Sequence, residues 1–296
     1  MKRLTVILGL ALVICLLVPL SCAKAPPMPA PAPAPMPAPA PRPAPAPPFQ
    51  KSLVPEEAYY LSGEIVEVKF SLTNVSSETI KLDRWPPEIQ VKPSHENETL
   101  FSVAAGTQPL EIKPGDTITV ESSWDQKDTE GKQVPPGWYR ITFRDINVTQ
   151  GDRGFGINTT ARILIQYPQG TMEKTIELNQ SQTVNDITVT LERIELTATG
   201  MTVYAFGTLP GYNSSQEPFM DAFAEYHVDG GVVKQADSAA MQFLENGTRF
   251  IWKRLDPIPS DAKELVFRIS TITLRSAPGK PDESVAGPWE FKIPLD

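Results

Sequence analysis

The sequence predicts an all-β protein: two β-sandwich domains in tandem, carried behind an export signal and a Pro/Ala-rich linker. Three observations predict it. Beyond residue 49, apolar and polar residues alternate at period two through much of the chain. Turn-forming Gly, Pro and Asn residues cut those runs into short segments. No stretch sustains a helical period with capping signals beyond two or three turns.

Residues 1–21 are predicted to be a signal peptide: Lys2 and Arg3 form a positive start, and the 17 residues Leu4 to Leu20 carry no charge. That run is at the short end for a membrane span, roughly 20 residues being typical, so an uncleaved anchor is the alternative. Val18-Pro19-Leu20-Ser21-Cys22 resembles the lipobox of prokaryotic lipoproteins, with Pro19 where Leu is usual. The resemblance implies lipidation at Cys22 and a location on the outer face of the cell membrane. Acyl chains would hold the protein there by burying about 0.8 kcal/mol per CH₂. Release as a soluble protein is the competing reading. Cys15 and Cys22 are the only cysteines, so a cleaved chain has one thiol, at its first residue, and no disulfide.

Residues 22–50 form the lipidated N-terminus and linker. From Pro26 to Pro48 the chain is Pro and Ala with two Met and one Arg. Proline fixes φ and removes a donor, so this segment is expected to extend as polyproline II over about 70 Å. It reads as a spacer; a ligand for proline-binding modules is the alternative.

The first domain is placed at 51–168 and the second at 169–296. Val66, Val68, Phe70 and Leu72 alternate with Glu67, Lys69 and Ser71, as a half-buried strand does. Ile118, Val120 and Trp124 repeat the pattern, as do Tyr139, Ile141 and Phe143, then Ala161, Ile163, Ile165 and Tyr167. A second cycle follows through Ile187, Val189 and Leu191, then Val203 to Phe206, then Leu265, Phe267 and Ile269. Trp289, Phe291, Ile293 and Leu295 end it. Asp229-Gly230-Gly231, Asn246-Gly247 and Pro278-Gly279 are expected turns. Trp124, Tyr139 and Trp289 are predicted core aromatics. Tyr139, directly after Pro135-Pro136-Gly137, is placed as a tyrosine corner of an Ig-like sandwich.

The segment Ile112 to Phe143 holds Pro114-Gly115 before a strand, Trp124-Asp125, Gly131 in a polar loop, and Pro136-Gly137-Trp138-Tyr139. With Leu72-Thr73-Asn74 upstream, it resembles the intracellular proteinase inhibitor (BsuPI) family over roughly Glu57 to Phe143. The resemblance implies an Ig-like fold and inhibition of serine proteinases. The second half is similar to Ig-like ectodomains of prokaryotic surface proteins, in Leu178 to Tyr204 and Gly287 to Leu295. Asp125, Gln126, Lys127, Asp128 and Gly131 belong to a charged hairpin loop that solvent should see, which makes them the candidate partner loop.

Seven of the eight Asn residues stand in Asn-x-Ser/Thr sequons: Asn74, Asn97, Asn147, Asn158, Asn179, Asn213 and Asn246. With 42 Ser and Thr among 296 residues, about one is expected by composition. They are candidate glycosylation sites; Asn-rich turns between strands are the competing explanation.

Catalytic groups are sparse. His95 and His227 are the only histidines and lack metal-spaced partners. No phosphate-cradling loop or nucleophile elbow occurs. The net charge of −8, or −10 without the signal, disfavours nucleic acid. The expectation is a non-enzymatic cell-surface binding or structural protein, with no metal and no cofactor. Its partners would be the membrane, through its lipid, and an envelope protein or glycan. The alternative is an envelope proteinase inhibitor acting on a subtilisin-like enzyme. A hydrolase using Asp221 and Glu225 is the weakest reading.

Overall fold

The computed structural model describes residues 46–96, 98–211, 220–236, 239–274 and 281–296. The predicted signal peptide, Cys22, the predicted linker to residue 45, Asn97, Asn213 and Pro278-Gly279 lie outside the described residues. No helix occurs among the described residues, and so none long and apolar enough to cross a membrane.

Residues 46–296 form one compact unit with two separate hydrophobic cores. Ten strands build the first sandwich: β1 Phe49–Pro55, β2 Tyr59–Leu61, β3 Val66–Asn74, β4 Ile80–Trp85, β5 Glu88–Pro93, β6 Phe101–Val103, β7 Gln108–Ile112, β8 Thr117–Trp124, β9 Gly137–Gln150 and β10 Arg153–Gln166. One sheet has the order β1-β3-β8. The other runs β2-β10-β9-β4-β7, with β5 joined to β9 and β6 to β5. All these pairings are antiparallel except β2 with β10.

The predicted alternation sets the layers. Val66, Val68, Phe70 and Leu72 of β3 face Tyr139, Ile141 and Phe143 of β9, and all are buried. Phe70 and Phe143 stack with centroids 5.2 Å apart. Each such side chain contributes on the order of 1.5–3 kcal/mol by leaving water. β1 begins at Phe49, inside the range assigned to the linker, because that ring packs edge-on against Phe155 at 6.1 Å.

Nine strands build the second sandwich: β11 Lys174–Val184, β12 Ile187–Thr197, β13 Gly200–Thr208, β14 Met220–Val228, β15 Lys234–Ala236, β16 Ala240–Leu244, β17 Gly247–Leu255, β18 Glu264–Leu274 and β19 Glu283–Pro294. The sheets are β11-β12-β13-β17-β16 and β15-β14-β18-β19. Trp289 is fully buried and donates its indole N–H to the Ile187 carbonyl at 3.1 Å. The expected Asn246-Gly247 turn sits one residue earlier: Leu244 pairs with Gly247, leaving Glu245 and Asn246 as the loop. Gly247 is required for space, since a Cβ there would lie 2.4 Å from the Gly207 carbonyl oxygen.

The connection between the sandwiches is pinned. Met172 N–H donates to the Ile258 carbonyl, Ser260 N–H to Gly170, and Ser260 Oγ to Gln169.

Candidate functional site

The sequons divide by burial. Asn74 shares the inward parity of β3 and is fully buried. Its Nδ2 donates to the carbonyls of Glu78 at 2.8 Å and Ile112 at 2.9 Å. Its Oδ1 accepts from the Ser76 N–H and hydroxyl. Both amide hydrogens are engaged inside the core, so Asn74 is a turn anchor and not a glycan acceptor. Asn147, Asn158, Asn179 and Asn246 are exposed. Asn158 lies at the β9–β10 register shift, and Asn179, with φ 50°, at the β11–β12 shift. Asn147 is held on Asp83, donating its N–H at 2.8 Å and its Nδ2 at 3.0 Å. Although desolvation opposes it, these bonds and Arg84 hold the Asp83 carboxyl below its ordinary value.

The predicted partner loop is a preordered hairpin. Trp124 is buried and donates its indole N–H to the Lys127 carbonyl at 2.8 Å. Asp128 Oδ1 accepts from the Glu130 and Lys132 amides, both at 2.9 Å. Asp125, Lys127 and Gly131 are exposed, and Asp128 is half-buried. Gln126 departs from the expectation: it is fully buried, with φ 58°. Its Nε2 donates to the Leu61 carbonyl, and its Oε1 accepts from the Gly63 N–H, both at 2.8 Å. Gln126 therefore fastens the hairpin to the β2–β3 loop, and a partner would not reach it. That neighbouring loop carries Leu61 at 52% exposure and Ile65 at 61%.

Tyr139 forms the tyrosine corner, its hydroxyl donating to the Pro135 carbonyl at 2.5 Å. Burial pushes that phenol well above its ordinary value. The next residue back, Trp138, takes the opposite parity and faces the second sandwich. Its backbone N–H donates to Asp256 Oδ1 at 2.9 Å, and its indole N–H to the Thr199 carbonyl at 2.8 Å. Asp256 Oδ2 holds the Lys234 ammonium at 2.6 Å, and the Asp256 N–H reaches the Tyr226 hydroxyl at 3.1 Å. Burial alone would lower the Lys234 pKa. Asp256, with Tyr167 and Glu96, outweighs it, so the value is raised. Gly137, at φ 147°, passes so near that a Cβ would lie 3.1 Å from the Asp256 carboxylate.

This seam holds most of what sequence reasoning missed. Leu164 pairs with Trp138 on one side and Tyr59 on the other, so three adjacent strands carry an outward apolar row. Leu164 is fully buried although it lies opposite the core parity of Ile163 and Ile165. Beside the row runs a groove of about 470 Å³, lined by Tyr59, Trp138, Arg162, Thr199, Met201 and Arg254 among others. The signal available in the sequence was Trp138 itself, an indole on the outward parity of a strand.

Asp221 and Glu225 are four residues apart on one face of β14, roughly 13 Å along the strand. Glu225 pairs with Arg268 at 3.3 Å. Among the described residues, no three His, Cys, Asp or Glu side chains cluster to hold a metal ion.

No protein-family model matches the chain, and no curated protein matches it. Among solved structures it is similar to a conserved domain protein from Bacillus anthracis: 10% identity, covering 86% of this chain and 89% of that one, TM-score 0.37. It is also similar to the sporulation control protein Spo0M from Bacillus subtilis, at 9% identity, 82% and 91% coverage, and TM-score 0.30. A β-glucosidase, EmGH1 from Erythrobacter marinus, matches at 15% identity over 40% of this chain and 15% of its own, TM-score 0.25. The TM-scores are low, and these likenesses bring no activity to this chain. Its class rests on its own strands: an all-β protein of two tandem sandwiches joined by a polar seam.

Proposed function

We propose that the chain is an exported, lipid-anchored surface protein whose paired sandwiches form a non-catalytic binding module. Its contact face is the loop end of the first sandwich. One observation carries this reading: a preordered hairpin, 125–132, tied through Gln126 to a loop that exposes Leu61 and Ile65. Apolar side chains on ordered loops bind a protein partner with little ordering entropy to lose. The test is capture from the native envelope by the full chain, against a Leu61→Asp/Ile65→Asp variant. A partner retained by the first and lost by the second is expected; an identical set from both overturns the contact face. Labelling with radioactive palmitate, lost in Cys22→Ala, tests the anchor.

The same preordering supports a second reading, inhibition of a subtilisin-like proteinase, in line with the BsuPI resemblance. Slowed peptide hydrolysis at micromolar protein, relieved by Lys127→Ala, is the expected outcome. Unaltered proteinase activity removes this reading. Hydrolysis by Asp221 and Glu225 is not proposed, since their separation exceeds the roughly 5–9.5 Å that paired carboxylates need.

A further inference from the structure

We propose that the groove along the seam binds an acidic saccharide, with Arg254 on its carboxylate and Tyr59 and Trp138 against its ring. This site is distinct from the loop end, and neither proposal depends on the other.

Charge is the first observation. The chain has 35 acidic and 27 basic residues, yet the described lining of the groove holds Arg254 and no carboxylate; Arg162, also in the lining, is already engaged. A guanidinium is planar, permanently charged and matched to a carboxylate through two parallel hydrogen bonds.

Backbone is the second. Arg254 has φ 61°, a conformation uncommon for a long side chain. It sits in a β-bulge of β17: Leu255 pairs with Met201 and Trp252 with Val203, so Lys253 and Arg254 together oppose Thr202. A bulge re-aims a side chain out of the strand alternation. Glycine would take this φ without strain, and the chain has Arg there. Strained positions of this kind concentrate at ligand sites.

The walls are the third. Trp138 is locked at both its amide and its indole N–H, which fixes the ring before any ligand arrives. Tyr59 stands two strands away in the same register row. Aromatic faces pack against the C–H face of a pyranose. Thr197, Thr199 and Thr202 on the opposite rim offer hydroxyls and backbone groups for sugar hydroxyls. A volume of about 470 Å³ lies in the range of small-ligand sites, roughly 300–1,000 Å³.

The experiment is calorimetric titration of the full chain with digalacturonate, beside cellobiose and inorganic phosphate. Digalacturonate is expected to bind in the micromolar-to-millimolar range, cellobiose and phosphate at least tenfold more weakly. Arg254→Gly is the informative variant, because it removes the guanidinium while relieving the backbone. Affinity should fall tenfold or more with the melting temperature unchanged or higher. Absence of digalacturonate binding, or binding indifferent to this variant, overturns the proposal. Phosphate binding as tightly as digalacturonate overturns the saccharide assignment. The Leu61→Asp/Ile65→Asp variant should bind digalacturonate normally, which separates this site from the loop end.

Discussion

Asn74 and Gln126 are side-chain amides that behave as backbone. Each fills a buried position and bonds to main-chain atoms on both its amide nitrogen and its amide oxygen, so each stitches a loop that has no strand partner there. Removing such an amide strands several buried donors and acceptors at once. Asn74→Ala should cost about 2–3 kcal/mol, seen as a lower urea midpoint. Peptide mass mapping should find Asn74 unmodified even if Asn158, Asn179 or Asn246 carries a glycan. Parity made both residues legible: Asn74 continues the inward series of Phe70 and Leu72, and Gln126 that of Trp124. The sequon and the charged loop drew attention to the residue types and away from the side they face.

β9 shows how one strand serves two interfaces. Tyr139 closes the first core with its hydroxyl on Pro135, while Trp138 joins the second sandwich through Asp256 and Thr199. Tyr139→Phe should cost about 1 kcal/mol, read from denaturant unfolding. Asp256→Ala should cost more, about 3 kcal/mol, because it leaves the Lys234 ammonium and the Trp138 amide without their acceptor. The same variant should split one unfolding transition into two, each with its own calorimetric peak. Alternation along the chain made the strands legible because burial on one face repeats every second residue. The seam was not legible, since Lys234, Asp256 and Trp138 lie 22 and 118 residues apart and only the packed chain brings them together. The bulge at Arg254 left no period to read either.

For the molecule as a whole, alkaline pH is the condition that strains it. Tyr139 and Tyr167 are raised chiefly by burial, and Lys234 is raised by the charges that outweigh its burial. In the unfolded chain these groups lose their protons near pH 10, so above that the native state binds more protons than the unfolded state. Their contribution is therefore complete below about pH 10 and declines as pH climbs toward the native values. Melting temperatures should hold steady from pH 8 and drop above about pH 10, with the tyrosinate absorbance of Tyr139 and Tyr167 appearing only as the fold is lost. A flat profile would contradict the burial of these phenols. Trp138 has one more implication. A cut at residue 168 would take the Asp256 carboxylate from the Trp138 amide and the Thr199 carbonyl from its indole, and would lay that ring open where the second sandwich belongs. Fragments tested singly would clump or cling to unrelated surfaces, so any apparent affinity of a lone half would describe the wound and not the protein.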